Sequence, residues 1–333
     1  MNADVTVIVP AFNEESNIQR CIDSLLVQTI VPQIIVVNDG SYDSTIQKLE
    51  KYKNIDNFLL INQSNRGVSV ARNRGIESAS TKFITFVDAD DYVEKSFIET
   101  LLNSYYRDYE IDLSICNYSM KRLNDNVTFY GNFTTSVIGQ SEYFNSVIDE
   151  MGVNGFVYNK MFKKSLIDKY NIKFDPDISI GEDFFFCFQY GKACKKISLN
   201  DSVQIHYLPT ASGVSDTMQI NGRFSNKIFD YFNANVKIID QLIDLPGKND
   251  STYKIINKEI KRTCNIGTII LRKFYLYHQI KYYKEIEMIK KFVKENQRLF
   301  ITSSDINLNE KIKLIMAVYC PRLLKKIDKI KFK

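Results

Sequence analysis

The stretch Phe-Ile-Thr-Phe-Val-Asp-Ala-Asp-Asp, residues 83–91, decides the fold of this 333-residue chain. Its first five residues are β-branched or aromatic and uncharged, which predicts a strand buried on both faces. Asp88, Asp90 and Asp91 follow at once. In open α/β sheets, ligands bind beyond the carboxyl ends of central strands. Because carboxylates this close repel one another without a cation between them, the pattern predicts a divalent metal site with oxygen ligands.

The same acids have a second interpretation. Acidic residues are common just before helices, where their side chains accept hydrogen bonds from free backbone amides. A helical pattern begins near Ser96, so these acids also suit a solvated turn that caps this helix. The local pattern leaves both interpretations open.

Strand and helix patterns alternate through the first part of the chain. Short β-branched runs and segments with apolar residues at helical spacing follow one another. The predicted strands span 5–9, 34–37, 58–61 and 83–87, and the helices between them begin near residues 18, 44 and 68. Units of this kind predict a parallel, doubly wound α/β sheet with right-handed connections.

Polar residues fill the loops that follow the predicted strands. Asn13 and Glu14 follow the first strand, Asp39 follows the second, and Arg66 and Arg72 lie near the third. Such loops meet at one edge of a parallel sheet, which predicts a nucleotide site there. The sequence has neither a dinucleotide-binding Gly-x-Gly-x-x-Gly run nor a P-loop. Carboxylates bridged to the phosphates by a metal are therefore the expected means of binding.

Composition narrows the class of protein. With 44% hydrophobic residues the chain has enough apolar side chains for a large core. Its six cysteines include no Cys-x-x-Cys pair, which favours reduced thiols in a cytosol over disulfides or a zinc site. The two histidines exclude a histidine-rich metal site. No leader and no apolar run of about 18 residues are present, so we expect neither export nor a membrane span.

The net charge of +5 is concentrated at the end of the sequence. Residues 312–333 combine apolar residues at helical spacing with many lysines. Such a stretch gains about 1 kcal/mol per basic residue near an anionic lipid surface, which predicts peripheral binding to the cytoplasmic leaflet. The alternative is a helical subdomain that packs on the catalytic domain or on a second copy, giving a homo-oligomer. Nucleic acid is not an expected partner, because the catalytic half is not basic.

The second half of the sequence contains another acidic group. Residues 112–118 read as a strand, and Glu182 and Asp183 begin an apolar helix. Free backbone amides and the helix dipole stabilise acids at that position, which is the structural interpretation of the pair. Asn159, Lys160 and His206 are the other polar candidates in this half. A turn-capping role for the first two and an ordinary buried position for His206 remain alternatives.

Five motifs together resemble family 2 glycosyltransferases of the GT-A fold over residues 4–215. They are Val-Ile-Val-Pro-Ala-Phe-Asn-Glu-Glu at 7–15, Val-Asn-Asp-Gly-Ser at 37–41, Asn-Arg-Gly-Val-Ser-Val-Ala-Arg-Asn at 65–73, Asp-Ala-Asp-Asp at 88–91 and Gly-Glu-Asp at 181–183. Five motifs in the right order make the resemblance specific. It implies a doubly wound, Rossmann-like catalytic domain at 1–217, with a nucleotide-sugar half at about 1–120 and an acceptor half at about 121–217. A helical, basic region is expected at 218–333.

The resemblance also implies roles for residues of the nucleotide site. Pro10, Ala11, Asn13 and Glu14 match the loop that surrounds the nucleotide. Asp39 matches the acid that hydrogen-bonds the uracil ring.

Further roles follow for the central motifs. Arg72 lies in the segment that closes over the nucleotide, and Asp88 matches the residue near the ribose, with Ala89 beside it. Asp90 matches the direct ligand of the Mn²⁺ or Mg²⁺ that bridges the diphosphate. Asp183 matches the catalytic base.

Contacts with the acceptor or the diphosphate are a further hypothesis. Glu182 stands next to the matched base. We assign a contact with the acceptor or the diphosphate to Glu182 and also to Asn159, Lys160 and His206.

The expected activity is that of an inverting, metal-dependent glycosyltransferase. It would use a nucleotide sugar, taken to be UDP-linked, and a hydroxyl of a polysaccharide, glycolipid or lipid-linked acceptor in capsule or cell-wall synthesis. The chain has no tryptophan, so the Gln-x-x-Arg-Trp motif of processive relatives is missing and one sugar is expected per product. The expected location is the cytoplasm, with peripheral contact to the inner face of the cell membrane.

Two other functions compete with this one. A nucleotidyltransferase also uses an α/β domain and metal-bound carboxylates, but it would bring a glycine-rich loop after the first strand, where this chain has Ala-Phe-Asn-Glu-Glu. A non-catalytic glycan-binding or assembly protein on the same scaffold is the other candidate. The presence of Asp88, Asp90 and Asp183 argues against loss of activity.

Overall fold

The chain forms two compact units. The computed structural model describes residues 4–121, 128–149, 152–208, 227–245, 247–277 and 282–324. Contacts divide the chain at residue 212, into units 1–212 and 213–333. The functional division inferred from the sequence, with its boundary after residue 217, stays a prediction.

The first unit begins with four parallel strands separated by helices. They are β1 (Val5–Ala11), α1 (Ile18–Leu26), β2 (Gln33–Asp39), α2 (Thr45–Glu50), β3 (Phe58–Gln63), α3 (Val68–Ser78) and β4 (Phe83–Phe86). The strands lie in the order β3-β2-β1-β4, and every neighbouring pair is parallel. The sheet predicted from the alternating patterns is therefore confirmed for this part of the chain.

Beyond β4 the sheet becomes mixed. The remaining elements of this unit are β5 (Tyr92–Val93), α4 (Phe97–Arg107), β6 (Leu113–Lys121), β7 (Thr128–Tyr130), β8 (Ser136–Gly139), α5 (Gln140–Ile148), β9 (Lys160–Lys163), α6 (Lys164–Lys169), α7 (Glu182–Ala193) and β10 (Lys196–Tyr207). The order continues β9-β6-β10-β5, and β9 is antiparallel to both β4 and β6. The parallel strands predicted from the first part of the sequence are therefore joined by antiparallel strand pairs in this half.

The strand that carries the aspartates lies inside the sheet. β4 pairs with β1 on one side and β9 on the other, and Ile84, Thr85 and Phe86 are fully buried. The alternative that the acids cap the next helix is wrong. β5 separates them from α4, and the residue at the N-cap position, Ser96, makes no side-chain capping bond.

The second unit is helical. Its elements are α8 (Lys227–Ile243), α9 (Asp250–Tyr277), α10 (Tyr283–Thr302) and α11 (Leu308–Tyr319). Their buried faces form a core of their own, to which Phe232, Leu271, Ile289 and Leu314 contribute. Among the described helices, none is both long enough and apolar enough to cross a membrane.

Most of the cysteines are buried in the core. All six lie in described parts of the chain, each is a free thiol, and five of them are buried. Four of the buried thiols donate to backbone oxygens, and their burial fits packing residues.

Candidate active site

Hydrogen bonds join the loops at the carboxyl ends of the parallel strands. After β1, Asn13 adopts a left-handed backbone conformation with φ 54°, which asparagine tolerates better than most residues. Its backbone N–H donates to Ser41 Oγ at 3.0 Å, and its side-chain oxygen accepts from the Tyr42 N–H at 3.0 Å. The first two loops are thereby held together.

The predicted nucleotide loop lies around this contact. Pro10 and Ala11 form the buried end of β1 and pair with Val37 and Asn38 of β2. The Glu14 N–H donates to the hydroxyl of a threonine at the start of α2, at 2.8 Å. Burial, followed by the negative charges of neighbouring aspartates, raises the pKa of the Glu14 carboxyl.

Asp39, at the end of β2, organises the loop before α3. Its Oδ1 accepts hydrogen bonds from Gln63 Nε2 at 2.7 Å and from the Arg66 N–H at 2.9 Å, and its Oδ2 accepts from the Gly67 N–H at 2.8 Å. The side chain is 3% exposed. A carboxylate has about four acceptor positions, so one position on Oδ2 remains for another donor.

Arg72 connects the two halves of the site. It projects from α3 and is 3% exposed. Its Nη2 donates to Asp88 Oδ1 at 2.8 Å, and its Nη1 donates to Glu182 Oε1 at 3.0 Å and to Asp183 Oδ1 at 2.5 Å. The ring of Phe174 lies 5.2 Å from the guanidinium carbon. Asp88 and the distant neighbouring pair Glu182 and Asp183 therefore share one cation.

Charge and burial oppose each other within this cluster. Burial by itself would lower the pKa of Arg72, but Asp183, Asp88 and Glu182 raise it, so the guanidinium stays charged. Burial raises the pKa of Asp183 to about 8, against the lowering effect of Arg72 and with a smaller raising effect of Glu182 and Asp88. Asp183 is therefore a carboxyl whose proton equilibrium lies near neutral pH, as a general base requires.

The acids after β4 are crowded. Asp91 is fully buried, its Oδ1 accepts from the Leu208 N–H at 3.1 Å, and its Oδ2 has no hydrogen-bond partner. Burial, followed by the charges of Asp88 and Asp90, raises the pKa of Asp91 well above its usual value. Arg20 Nη2 donates to the backbone oxygen of Asp90 at 2.6 Å. This concentration of negative charge suits a divalent cation with oxygen ligands.

The protein itself would supply few ligands to such a cation. Within the described residues, no group of three or more His, Cys, Asp or Glu side chains is arranged to hold a metal. Mg²⁺ typically binds to one or two carboxylates and takes its other ligands from substrate phosphates and water. The acids present, with the unpartnered Oδ2 of Asp91, fit a metal that arrives with a nucleotide diphosphate.

Unpartnered polar atoms concentrate at this site. Among the described side chains, five buried polar atoms lack a hydrogen-bond partner, and three of them belong to Arg72, Asp91 and Tyr158. Tyr158 lies between the rings of Phe156, at 4.9 Å, and Tyr207, at 6.1 Å. Buried polar groups are normally paired, so these atoms point to a ligand or ordered water. The sequence pattern did not single out Tyr158 as a site residue.

Asn159 and Lys160 lie in the core. Both are fully buried. Lys160 Nζ donates to the backbone oxygens of Val153, Asn154 and Phe156 and to Asn159 Oδ1, at 2.7–3.1 Å. Burial lowers the pKa of Lys160. These contacts hold the loop before β9, and they do not support the predicted contact with acceptor or diphosphate.

His206 has partners on the two neighbouring strands β6 and β5 and on the residue that follows β5. Its Nδ1 lies 2.7 Å from Ser119 Oγ, and its Nε2 lies 2.6 Å from Glu94 Oε1. The ring stacks on Tyr92, with 4.6 Å between the ring centroids. The ordinary, partly buried position fits these contacts better than a phosphate contact does.

Residues 6–170 match the model of glycosyl transferase family 2. Putative glycosyltransferase EpsH of Bacillus subtilis (strain 168) is 32% identical over 68% of this chain. Residues 6–170 of this chain are therefore a glycosyl transferase family 2 domain. It covers 65% of EpsH, which is less than two thirds of that protein.

Two further proteins are similar over most of the chain. Poly(ribitol-phosphate) beta-N-acetylglucosaminyltransferase TarP of Staphylococcus aureus (strain N315) is 26% identical, with 87% of each chain aligned. The crystal structure of S. aureus TarS 1–349 in complex with UDP-GlcNAc aligns with 99% of this chain and 92% of that one, with a TM-score of 0.69 and 18% identity. The TarS likeness establishes the GT-A fold with its C-terminal helical region.

We predict that Arg72→Gln destabilises the protein by about 3 kcal/mol or more, because removing one partner of a buried ion pair leaves charges uncompensated. Urea unfolding followed by circular dichroism measures the change. Arg74→Gln is the matched control, since Arg74 lies two positions further along α3 and is exposed. Equal stability of the two variants would contradict the central role of the Arg72 contacts.

Proposed function

We propose that the protein transfers one sugar from a UDP-sugar to a hydroxyl of a polysaccharide, glycolipid or lipid-linked glycan, with inversion at the anomeric carbon. The observation that carries the proposal is the Arg72 guanidinium, which bonds both Asp88 and Asp183. Asp88 is assigned to the nucleotide and Asp183 to the acceptor, and the side chain of Arg72 contacts both. Donor and acceptor would therefore meet at this cluster.

Donor binding would begin with the nucleotide base. The remaining acceptor position on Asp39 Oδ2 suits the ring N–H of uracil, since three other positions already accept hydrogen bonds. The names of two similar proteins point the same way: TarP is an N-acetylglucosaminyltransferase, and TarS was crystallised with UDP-GlcNAc. UDP-GlcNAc is thus the first donor to test.

Asp183 would act as the base. Its carboxylate removes the proton from the acceptor hydroxyl as that oxygen attacks the anomeric carbon. The new glycosidic bond forms while the bond to the diphosphate breaks, and the electron pair leaves with the nucleotide. Attack from the face opposite the leaving group inverts the configuration. Arg72 would keep Asp183 aimed at the acceptor and keep its pKa from rising further.

Asp90, supported by Asp88, would hold Mn²⁺ or Mg²⁺. A metal bound here supplies a Lewis acid for the charge that develops on the departing diphosphate. The negative charges of Asp88 and Asp90, which add to burial in raising the pKa of Asp91, fit this assignment. Family membership makes a nucleotidyltransferase or a non-catalytic glycan-binding protein the weaker interpretation of the same acids.

We predict that Asp183→Asn lowers kcat at least about 100-fold, the usual contribution of a general base, with UDP binding near normal. Asp90→Ala should weaken transfer and the metal-dependent binding of UDP together. Asp177→Asn, an exposed acid in the loop before α7, is the control that should keep full activity. A fully active Asp183→Asn enzyme would remove the base assignment.

Sizing of the products tests whether the enzyme releases its product after each sugar. A ladder of products that carry increasing numbers of sugars would contradict this expectation.

The pH dependence follows from the protonation state of Asp183. Its pKa is raised to about 8, and only the deprotonated carboxylate accepts a proton. The kcat/KM for UDP-GlcNAc turnover should therefore rise as the pH increases through about 8, since this ratio reports groups of the free enzyme. Asp183→Glu is expected to move the midpoint. A ratio that stays constant through this pH range would contradict the prediction.

UDP should stabilise the protein against heat more than GDP does, because Asp39 is assigned to uracil. A ligand at 100 times its Kd adds about 2.7 kcal/mol to the free energy of unfolding. Thermal unfolding with UDP, GDP or buffer alone, each with Mn²⁺, measures the effect. Equal stabilisation by both nucleotides would oppose a uridine site.

A further inference from the structure

One face of α11 is apolar and exposed. Its residues, here called the α11 stripe, are Leu308, Ile312, Ile315, Tyr319 and, just after the helix, Leu323. Their exposed fractions run from 40% at Ile315 to 71% at Leu308. Steps of three or four residues place the first four on one side of an α-helix. A contiguous exposed apolar surface of this kind marks an interaction site.

The stripe is held rigidly by the opposite face of the helix. Leu314, Ala317 and Val318 are buried in the core of the helical unit, and Leu324 is buried there after the chain turns at Cys320. The Tyr319 hydroxyl is hydrogen-bonded to Gln297 of α10 at 2.9–3.0 Å. The stripe is therefore exposed on an ordered helix that is anchored on its other side.

The charge around the stripe is mainly positive. Between residues 308 and 324 the charged side chains are Lys311, Lys313 and Arg322 against Glu310. Lys294 of α10 lies over the Tyr319 ring, 6.0 Å from its centroid. The sequence continues from 325 to 333, outside the described residues, with five lysines and one aspartate. An apolar face with a basic border is complementary to an anionic surface that has an apolar interior.

We propose that the α11 stripe binds an anionic lipid surface. An amphipathic helix of this kind lies in the plane of the interface, with its apolar side chains among the acyl chains and its cations near the headgroups. A second copy of the chain is a poorer partner for the stripe. In a two-fold contact the same surface of both copies meets, so the basic side chains beside the two stripes would face and repel each other. The proposal assigns the lipid contact expected from residues 312–333 to the α11 stripe, which begins earlier, at Leu308.

Binding to lipid would serve the proposed activity. Lipid-linked acceptors present their hydroxyls at such a surface, so an enzyme held there meets them at a raised local concentration. Only this consequence rests on the proposed function. The contact itself can be tested without donor, acceptor or turnover, so the two proposals fail separately.

The test is co-sedimentation of the full-length protein with vesicles, in the absence of nucleotide. Binding to phosphatidylglycerol vesicles is expected, with much weaker binding to phosphatidylcholine vesicles and loss of binding at high salt. Ile312→Ser/Ile315→Ser should abolish binding, and Lys311→Gln and Arg322→Gln should each weaken it about fivefold. Val137→Ser, at an exposed apolar residue of β8 in the other unit, is the control and should bind normally.

Two results would overturn the proposal. One is binding that is unchanged in Ile312→Ser/Ile315→Ser while thermal unfolding shows this variant to be folded. The other is a stable oligomer of the unmodified protein in light scattering that is lost in the Ile312→Ser/Ile315→Ser variant, while the unmodified protein binds neither kind of vesicle. The stripe would then be an interface between copies of the chain.

Discussion

The guanidinium of Arg72 is the interaction on which the site depends. It lies among carboxylates from the loop after β4 and from the start of α7, and little of it reaches solvent. Buried acids of like charge would repel one another and take up protons without such a partner. The shared cation keeps Asp88 and Asp183 close together and lowers the pKa of Asp183 against the effect of burial. It also makes the integrity of the site depend on α3, the helix that carries Arg72.

The mixed sheet explains how acids from distant parts of the chain meet. The parallel half brings the loops after β1, β2 and β4 to one edge, where Asn13 and Asp39 tie neighbouring loops together. The antiparallel β9 then returns the chain beside β4, and the segment that follows leads to α7 and Asp183. Buried Lys160 fixes the loop that enters β9. Each half of the unit thereby contributes acids to the cluster around Arg72.

Several features of this site were readable from the sequence because they are local. An apolar run that ends in acids places Asp88, Asp90 and Asp91 at the end of a buried strand, and polar residues after strands indicate a ligand edge. Other features were not readable. Asn159 and Lys160 looked like polar candidates, yet their partners are backbone oxygens that only the folded loop brings near them. The unpartnered hydroxyl of Tyr158 depends on packing against Phe156 and Tyr207, which no spacing reveals.

The sequence by itself determined the alternation of strands and helices, the resemblance to family 2 glycosyltransferases through its five motifs, and the basic, amphipathic character of the C-terminal stretch. These follow from periodicity and residue type along short segments. The tertiary structure alone decided that Arg72 joins Asp88 to Asp183, that β9 runs antiparallel, and that one face of α11 stays exposed. The physical reason is that pairing of charges, strand direction and burial depend on which surfaces meet in space, and residues far apart in the chain supply those surfaces.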